Sequence, residues 1–425
     1  MRVHHFLATG ETRRLDSLEP ILEALTRERE PAAERKIDHV IACHEDFGRR
    51  ILEDARTRSI DGVAFLSAWL RRENLEATLA LSLHGLGRAA LDGFVPHGRG
   101  AFLAARPQGL VAMWLAGNLP TLPVFSLVPA LLAKDVALLK LASADPAGTH
   151  ALISVLAESE GGSVRGADLV RQAALVWFDH REKDLNERLS LAADARVVWG
   201  GRAAVNAIGA LPRQPHATEA VFGPKYSLAV LGRKRLEREE GLDAVLAAIA
   251  RDAAVFDQRA CSSPHTVFIE KNGRLGLEAT GERLARHLEA LPPKRGQDAH
   301  TSLAIASARA EWAMSEGRSV IVPGLEPSWT VCLDRETSLK APVASRTLFL
   351  TEVASWREIL PILGPEVQTC GISFEDDEEA RAFAERAGLR GVARCVRPGL
   401  MHLYESPWDG KMLLDPLVRW VTLRP

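Results

Sequence analysis

The chain is organised around a helix-to-strand junction at residues 252–270, which reads DAAVFDQRACSSPHTVFIE. Its Cys261 follows a run with helical character and precedes two serines, a proline and the strand-like residues 266–269. A thiol at such a junction lies in a loop at the edge of a sheet, where a substrate can reach it. Most cysteines pack as small apolar side chains, and a reactive thiol needs an electropositive, accessible setting. Cys261 is therefore a candidate nucleophile whose role depends on what else the chain supplies.

Composition sets the broad class of protein. A length of 425 residues suits about two to three domains with sizeable cores. Hydrophobic residues make up 47% of the chain and charged residues 25%, as in an ordinary globular protein. The formal net charge of −2 offers no global field for nucleic acid or an anionic membrane, so we expect no nucleic-acid binding.

The cysteines and the apolar stretches indicate the compartment. The five cysteines are widely spaced and include no Cys-x-x-Cys pair, which argues against a disulfide framework or a zinc site and favours a reducing compartment. The cluster at residues 43–46 (CHED) has no partner cluster, and we interpret it as a solvated helix start. The N-terminal apolar run is too short for a signal peptide, and residues 110–141 are interrupted by prolines and charges. The sequence thus predicts a cytoplasmic protein without a metal or a membrane span.

The pattern of apolar residues in the first half of the chain predicts helices followed by a parallel sheet. Residues 1–100 carry apolar side chains at helical spacing. Residues 110–115 and 136–141 are short apolar runs typical of buried strands, with a helix-like run at 122–133 between them. Further strand-like runs at 175–178 and 196–199 predict a doubly wound sheet, which binds ligands at the carboxyl ends of its strands.

The second half predicts another α/β layer. A strand at 227–231 precedes a helix at 241–257 that delivers Cys261, and residues 319–322, 330–333, 347–350 and 369–374 are strand-like. We expect four parts: a helical N-terminal region at 1–100, a Rossmann-type dinucleotide-binding domain at 101–235, a second α/β domain with Cys261 at 236–400, and a segment at 401–425 that returns to the cofactor domain or an oligomer interface.

Three upstream sites can be weighed beside the thiol. Asn118 follows the first buried strand, where its side-chain NH can form an oxyanion hole with a backbone NH, or it can merely form a turn. Lys140 ends the next strand, where a cation can meet the ribose or phosphate of a dinucleotide, or remain a surface lysine. Gly200-Gly201-Arg202 lies between a strand and a helix, where backbone NH groups can hold a pyrophosphate, although a complete Gly-x-Gly-x-x-Gly pattern is absent.

The order Asn, Lys, glycine-rich turn and Cys, at these intervals, resembles the aldehyde dehydrogenase superfamily. Residues 115–120 (LAGNLP), 256–264 (FDQRACSSP) and 408–410 (WDG) are similar to its acyl-CoA reductase branch, which includes the fatty acid reductase component of bacterial bioluminescence systems. The resemblance covers roughly residues 100–425, and the FDQxxCSSP run is its most specific part. It implies an aldehyde dehydrogenase-like fold with a Rossmann-type cofactor domain and a second, catalytic α/β domain.

The resemblance also implies a role for each matching position. Cys261 falls on the family's nucleophile, and Asn118 falls on its oxyanion donor. Lys140 falls where a lysine contacts the adenosine ribose of the cofactor. Gly201 and Arg202 fall in the glycine-rich turn beside the cofactor's phosphates.

Two departures from the family pattern affect the expected chemistry. Acid-forming aldehyde dehydrogenases carry a Glu that activates water against the acyl-enzyme, and Val221 stands in its place in the similar run here. A glutamate that binds the ribose hydroxyls commonly follows the cofactor lysine, and the matching position appears as Ser143. Loss of that negative charge makes the 2′-phosphate of NADPH acceptable. His265 could assist proton transfer, or it could point elsewhere at the start of its strand.

We therefore expect NADPH-dependent reduction of an acyl-CoA thioester, with a fatty acyl chain, to the aldehyde through an S-acyl group on Cys261. NADH is a second possible donor. The alternative is an acyl-carrying or acyltransferase subunit of a fatty acid reductase complex without its own hydride transfer. The acyl donor is coenzyme A or a carrier protein, and an acyl-activating partner enzyme can supply the acyl group. The family resemblance implies a homo-oligomer.

Overall fold

The computed structural model describes residues 2–143, 146–238, 241–271, 274–292, 296–323 and 328–425. Within them the chain divides into two compact units, one formed by the residues up to Gly223 with Leu403–Pro425, and the other by Pro224–His402. The sequence placed a change of domain at 235–236. In the structure the change of unit comes earlier, because the strand Tyr226–Leu231 pairs within the second sheet.

The first unit holds most of the helices. Its elements are β1 (Val3–Phe6), β2 (Thr12–Leu15), α1 (Glu19–Glu34), α2 (Ile37–Glu53), α3 (Val63–Trp69), α4 (Arg72–Ser82), α5 (Ala89–Asp92), β3 (Val95–Pro96), β4 (Phe102–Pro107), β5 (Leu110–Trp114), α6 (Leu122–Leu132), β6 (Val136–Lys140), α7 (Ala147–Ala157), β7 (Glu160–Gly161), β8 (Val164–Arg165), α8 (Gly166–Arg171), β9 (Ala173–Trp177), α9 (Lys183–Ala192), β10 (Ala195–Trp199), α10 (Arg202–Gly209) and β11 (Thr218–Phe222).

The second unit is a further α/β layer. Its elements are β12 (Tyr226–Leu231), α11 (Arg233–Glu237), α12 (Leu242–Ala254), the 3₁₀ turn Val255–Gln258, β13 (Pro264–Glu270), α13 (Leu277–Glu289), α14 (Ala299–Met314), β14 (Ser319–Ile321), β15 (Thr330–Asp334), β16 (Thr347–Val353), two 3₁₀ turns (Trp356–Glu358 and Leu360–Ile362), β17 (Val367–Ser373), α15 (Asp377–Gly388) and β18 (Arg394–Val396). The chain ends in the first unit with a 3₁₀ turn (Asp415–Leu417) and β19 (Val418–Leu423).

The main sheet of the first unit has the strand order β11-β10-β5-β6-β9-β1-β2. The five strands from β11 to β9 run parallel, and β5 is buried along its whole length because helices cover both of its faces. The chain winds outward from β5 in both directions, so the switch point lies between β5 and β10. The predicted doubly wound sheet is confirmed.

The N-terminal region differs from its expected all-helical character. The helices α1 to α5 are present, but the chain begins with the antiparallel hairpin β1–β2, which extends the main sheet beyond β9. The CHED cluster lies inside α2 and not at a helix start, and Cys43 and His44 are fully buried against the core. Residues 145–146 (DP) also predict the cap of the helix that follows them, α7, but Asp145 lies outside the described residues.

The second sheet has the order β14-β15-β16-β13-β12-β17-β18. All strands except the antiparallel edge strand β14 run parallel, and every residue of the central β13 is buried. Apolar side chains of α12 and α13 cover one face of this sheet. The strands predicted from residues 319–374 are all present, whereas α14 was not predicted.

Two further findings bear on function. Among the described residues no helix is both long enough and apolar enough to cross a lipid bilayer. The same residues contain no cluster of three or more His, Cys, Asp or Glu side chains placed to hold a metal ion.

Candidate active site

The thiol of Cys261 lies in a short loop ahead of β13. Cys261 is half-buried, whereas Ala260, Ser262 and Ser263 beside it are buried. Its carbonyl oxygen accepts a hydrogen bond of 2.7 Å from Ser227 Oγ on β12. Ser227 Oγ in turn accepts one of 3.2 Å from the backbone N–H of Thr369 on β17. The backbone of the loop is thus tied to β12, the strand next to β13, and through Ser227 to β17 on the other side of β12.

The chain enters this loop through an unusual backbone. The expected helix through residue 257 ends at Ala254, and Phe256, Asp257 and Gln258 have φ values of 58°, 51° and 59°. Non-glycine residues in this left-handed region cost about 1–3 kcal/mol each when the surroundings force them there. Strain of this kind persists only where other contacts fix it.

The side chain of Gln258 supplies such contacts. Its Nε2 donates to the carbonyls of Pro264 (2.8 Å) and Thr347 (3.0 Å), and its Oε1 accepts from the Thr347 N–H at 2.8 Å. Gln258 is 2% exposed, so these bonds form away from water, where leaving one unmade is costly. The glutamine of the FDQxxCSSP run is therefore a support of the loop.

A second left-handed segment faces the first. Ala344, Ser345 and Arg346 have φ values of 71°, 62° and 59°. The N–H of Ser345 donates to the Asp257 carbonyl at 3.1 Å, and its Oγ lies 3.2 Å from Asp257 Oδ2. The two irregular segments therefore hold each other in place.

His402 holds the other side of the loop. Its Nδ1 lies 2.9 Å from Ser262 Oγ, and its Nε2 lies 2.7 Å from the Asp252 carbonyl oxygen on α12. Burial lowers the pKa of His402 to about 4. Sequence reasoning missed His402, Ser227 and Ser345, because no local signal connects them with a thiol so distant in the chain.

His265, which we considered for proton transfer, lies in the fully buried strand β13. It is 4% exposed, and its Nδ1 has no hydrogen-bond partner among the described residues. Burial lowers its pKa to about 4, so the ring is neutral near pH 7. A neutral imidazole enclosed in the sheet fits the other alternative, that the His265 side chain points away from the thiol.

Burial separates Cys261 from most of the other cysteines. Cys43, Cys332 and Cys370 are buried, and burial raises the pKa of Cys43 and of Cys332 to about 12. Cys395 is half-buried on β18, and a hydrogen bond with Cys370 lowers its pKa. Cys395 is therefore the rival thiol that an experiment must exclude.

The first unit has a cavity of about 770 Å³ at the carboxyl ends of its parallel strands, between α9 and α10. Lys140 lies in its wall, with Nζ 5.4 Å from the centre of the Phe178 ring. Burial lowers the pKa of Lys140, and the nearby Asp179 carboxylate opposes that effect. The other lining residues are Trp114, Leu115, Ala116, Ala142, Trp177, His180, Lys183, Asn186, Glu187, Trp199, Gly200, Gly201, Ala203, Ala204, Ala207, Ile208, Ala210 and Leu211.

The glycine-rich turn opens α10 beside this cavity. Gly201 is the N-cap residue of α10, and a Cβ placed there would meet nothing within 4 Å, so the space in front of the helix is open. At Gly200 a Cβ would lie 3.1 Å from the Ala204 side chain. Arg202 is the first residue of the helix and is exposed, and it is not part of the cavity wall. The structure thus places Lys140, Gly200 and Gly201 in the wall of one cavity, and Arg202 next to Gly201 outside that wall.

Polar contacts from the sheet fix the two helices that flank the cavity. The Trp114 Nε1 donates to Asn186 Oδ1 at 3.0 Å, which joins β5 to α9. Beneath it, the fully buried Arg196 guanidinium lies 5.5 Å from the Trp114 ring centre and donates at 2.6 Å to the Ile208 carbonyl, near the end of α10. A cation at that end stabilises the helix dipole. Both walls of the cavity are therefore anchored to the sheet.

Asn118 and Ser143 lie outside the wall of this cavity. Asn118 is exposed in the bend between β5 and α6. Ser143 is exposed and lines a separate recess of about 220 Å³ together with Gly117 and Leu119. Val221 is half-buried on β11, directly opposite Val198 of β10.

Comparison with solved structures defines the class. An aldehyde dehydrogenase from Brucella melitensis biovar abortus 2308 aligns with a TM-score of 0.70 over 99% of this chain and 93% of that chain, at 13% identity. A glyceraldehyde-3-phosphate dehydrogenase, GapN, from Methanocaldococcus jannaschii, solved with NADP, aligns with a TM-score of 0.66 over 98% of this chain and 97% of that chain, at 11% identity. The fold is that of the aldehyde dehydrogenases, as predicted.

Sequence comparison narrows the class to a family. The family model described as acyl-CoA reductase (LuxC) matches residues 32–420, so the chain belongs to this family and is an oxidoreductase. A long-chain acyl-protein thioester reductase from Aliivibrio fischeri is 26% identical over 337 residues, which are 78% of this chain and 67% of that protein. The Vibrio harveyi protein of the same name is 25% identical over 336 residues, with the same coverage. These relatives do not favour the alternative of a subunit without its own hydride transfer.

Proposed function

We propose that this enzyme reduces a fatty acyl thioester to the aldehyde, with NADPH as the hydride donor and Cys261 as the covalent nucleophile. The observation that carries the proposal is the Cys261 loop. It presents a half-buried thiol on a backbone that Ser227, Gln258 and His402 fix from three sides. The names of the relatives, long-chain acyl-protein thioester reductases, support a long acyl chain bound as a thioester.

In the first half-reaction the Cys261 thiolate attacks the thioester carbonyl carbon. A new C–S bond to Cys261 forms, and the C–S bond to the donor breaks. We assign the oxyanion to the backbone N–H of Cys261 and the side chain of Asn118. The donor leaves as a thiolate, which needs little help from an acid because an ordinary thiol has a pKa of about 8.5.

In the second half-reaction the acyl group on Cys261 is reduced and not hydrolysed. Val221, on β11, occupies the position at which the resemblance expects a water-activating glutamate, and an isopropyl group cannot take a proton from water. A nicotinamide cofactor, when bound, supplies the hydride for the acyl carbonyl. The thiohemiacetal on Cys261 then collapses: its carbonyl re-forms, the C–S bond breaks and the thiolate is regenerated.

The cavity of the first unit suits a dinucleotide. The start of α10 at Gly201 is open in front of its backbone N–H groups, as a phosphate requires. Lys140 adds a cation to the same wall, and the rings of Trp114 and Trp199 add broad apolar surface. We assign cofactor binding to Lys140, Gly200 and Gly201.

NADPH is the form that we propose, with NADH as the competing donor. Ser143 brings no carboxylate to the position where the family commonly has a ribose-binding glutamate. Lys140 and Lys183 in the cavity wall attract a 2′-phosphate, whereas Asp179 and Glu187 in the same wall repel it. We therefore expect a moderate preference for NADPH, to which Arg202 contributes from the edge.

We propose coenzyme A or a carrier protein as the donor of the acyl group, and an acyl-activating enzyme as its source. We also propose a homo-oligomer in the cytoplasm.

A single-turnover experiment tests the function. Enzyme mixed rapidly with a long-chain acyl-CoA, without a nicotinamide cofactor, should release a stoichiometric burst of coenzyme A. The Cys261→Ala variant should give no burst, whereas Cys395→Ala, which removes the rival half-buried thiol, should give the full burst. Addition of NADPH should then yield one aldehyde per acylated enzyme. A burst that survives in Cys261→Ala, or free fatty acid as the product, would overturn the proposal.

A further inference from the structure

The ring of His402 joins the nucleophile loop to the helix that precedes it. His402 is 3% exposed and is the last residue of the second unit, in the turn after β18. One ring nitrogen is hydrogen-bonded to Oγ of Ser262, the residue that follows Cys261. The other is hydrogen-bonded to the carbonyl oxygen of Asp252, near the end of α12. A single buried side chain thus bridges the two ends of the irregular segment that carries the thiol.

The partners of the ring define its tautomer. A carbonyl oxygen only accepts hydrogen bonds, so His402 Nε2 carries the proton and donates to Asp252. Nδ1 is then the acceptor, and the hydroxyl of Ser262 donates to it. Because burial lowers the pKa of His402 to about 4, this neutral form persists throughout the range near pH 7. The ring therefore acts as a fixed spacer and carries no charge.

The turn that presents His402 is itself held against α12. The Gly399 N–H donates to Asp252 Oδ2 at 2.5 Å, and Arg394 donates to the carbonyls of Leu400 and Met401 at 3.1 Å and 2.9 Å. The Phe256 ring meets the His402 ring edge-on, with the two ring centres 5.2 Å apart. His402 cannot move without disturbing these contacts, so the acceptor offered to Ser262 is rigid.

Ser227 and His402 act on the two sides of one peptide bond. Ser227 fixes the carbonyl of Cys261, and His402 fixes the side chain of the next residue, Ser262. Together they restrict the rotation of the peptide group that follows the thiol.

We propose that His402 is a positioning residue for the nucleophile: through Ser262 it holds Cys261 in the orientation required for attack on the thioester. The inference rests on the proposed function, since it assigns His402 to the acylation half-reaction. In this role His402 acts through Ser262 and takes no proton in the reaction. Displacement of a reacting group by about 1 Å can lower a rate about 100-fold, so an anchor of this kind matters to catalysis.

The test uses three variants of the full chain. Ser262→Ala removes the donor, His402→Leu removes the acceptor, and His402→Asn places an amide oxygen where Nδ1 stood. We expect the acylation rate constant in single-turnover mixing with acyl-CoA to fall about 10- to 100-fold in Ser262→Ala and His402→Leu, and to recover to within about fivefold of wild type in His402→Asn. The KM for acyl-CoA should change less than the rate constant, because the anchor does not contact the acyl chain.

A second measurement separates positioning from a charge effect. The rate at which iodoacetamide alkylates Cys261, followed by peptide mass against pH, gives the midpoint of thiolate formation. That midpoint should be the same in wild type and in all three variants, since a neutral ring bound to Ser262 supplies no charge. A shifted midpoint in His402→Leu would overturn the positioning role in favour of direct electrostatic action.

The outcomes distinguish this inference from the function on which it rests. If wild type releases a burst and Ser262→Ala releases it equally fast, the positioning role fails and the proposed function stands. The same conclusion follows if His402→Asn is as slow as His402→Leu. If Cys261 of the wild-type enzyme reacts with iodoacetamide but the enzyme releases no coenzyme A from acyl-CoA, the proposed function itself fails. Ser262→Ala alone decides the question if the His402 variants do not fold.

Discussion

The loop of Cys261 is fixed by buried polar side chains, whereas the cavity beside Lys140 is lined largely by apolar side chains. Around the thiol, Gln258, Ser227 and His402 use nearly all of their polar atoms to fix a strained backbone. Around the cavity, alanines, tryptophans and two glycines leave open space. The difference matches the tasks that we propose for the two regions: bond formation tolerates little displacement, and a dinucleotide needs room and a few well-placed charges.

The Gln258→Leu change should damage the second unit most. It strips hydrogen-bond partners from the buried backbone of Pro264 and Thr347, and we expect a loss of about 2–4 kcal/mol in the free energy of unfolding. Urea unfolding monitored by circular dichroism measures it. Gln214→Leu, at an exposed position in the first unit, is the matched control and should have little effect. An unchanged midpoint in Gln258→Leu would mean that packing, and not this side chain, holds the loop.

Asp252 should make stability depend on pH. Burial raises its pKa from the ordinary 3.8 to about 7, so the folded state favours the protonated acid. The contribution of Asp252 to stability is then complete below pH 3.8 and is lost as the pH rises through 7. Each pKa unit corresponds to roughly 1.4 kcal/mol. Asp252→Asn should therefore be more stable than wild type at pH 8, by a margin that disappears near pH 4.

Thermal unfolding of both proteins across this pH range provides the measurement. Asp243→Asn serves as the control, because Asp243 is an exposed carboxyl on the same helix, and its margin over wild type should not grow with pH. Parallel pH profiles for wild type and Asp252→Asn would contradict the prediction.

Lys140→Met should weaken cofactor use without affecting the thiol. Removal of the cation from the cavity wall should raise the KM for NADPH about tenfold, which corresponds to about 1.4 kcal/mol. The burst of coenzyme A in the absence of cofactor should stay unchanged, since Lys140 is not among the groups that we assign to acylation. Steady-state kinetics and rapid mixing on the same preparation test both statements. Lys183→Met, at an exposed position of the same wall, should raise the KM for NADPH by less. A weakened burst in Lys140→Met would contradict the separation of the Cys261 loop from the cavity.

Asp179→Asn should produce the smallest change, a shift in selectivity between the two cofactors. Loss of a carboxylate near Lys140 removes repulsion of a 2′-phosphate, so the ratio of kcat/KM for NADPH to that for NADH should rise about two- to fivefold. The shift should shrink at high salt, because the interaction is partly solvent-exposed. Glu187→Gln in the same wall provides a comparison, and an unchanged ratio in both variants would exclude the wall carboxylates as determinants of selectivity.

The sequence predicted the regular elements of the sheets better than their connections. The apolar runs that became β5, β6 and β10 have a strong local signal, and so has the junction around Cys261. The hairpin β1–β2 was missed because Thr12, Arg13 and Arg14 are exposed and show no alternation of apolar and polar residues. The left-handed backbone at 256–258 was missed because none of its residues is a glycine.

The candidate site was predictable only where it follows a strand. Lys140, Gly200 and Gly201 sit at carboxyl ends of strands, and position in the sheet brings them to one cavity. Asp179 and Lys183 line the same cavity, but they had no signal beyond being charged residues in a loop and at a helix start. His402 was out of reach, because its contact with Ser262 spans 140 positions of sequence.

The mutual support of residues 256–258 and 344–346 has a consequence for how the protein is made. The backbone that aims Cys261 takes its partners from Ser345 and Thr347, more than eighty residues further along the chain, and from His402 later still. During synthesis the thiol therefore emerges long before the groups that orient it. A nascent or truncated chain ending before Ser345 has the cysteine but not the partners of its loop, so we expect the proposed reactivity toward thioesters only when the second unit is complete.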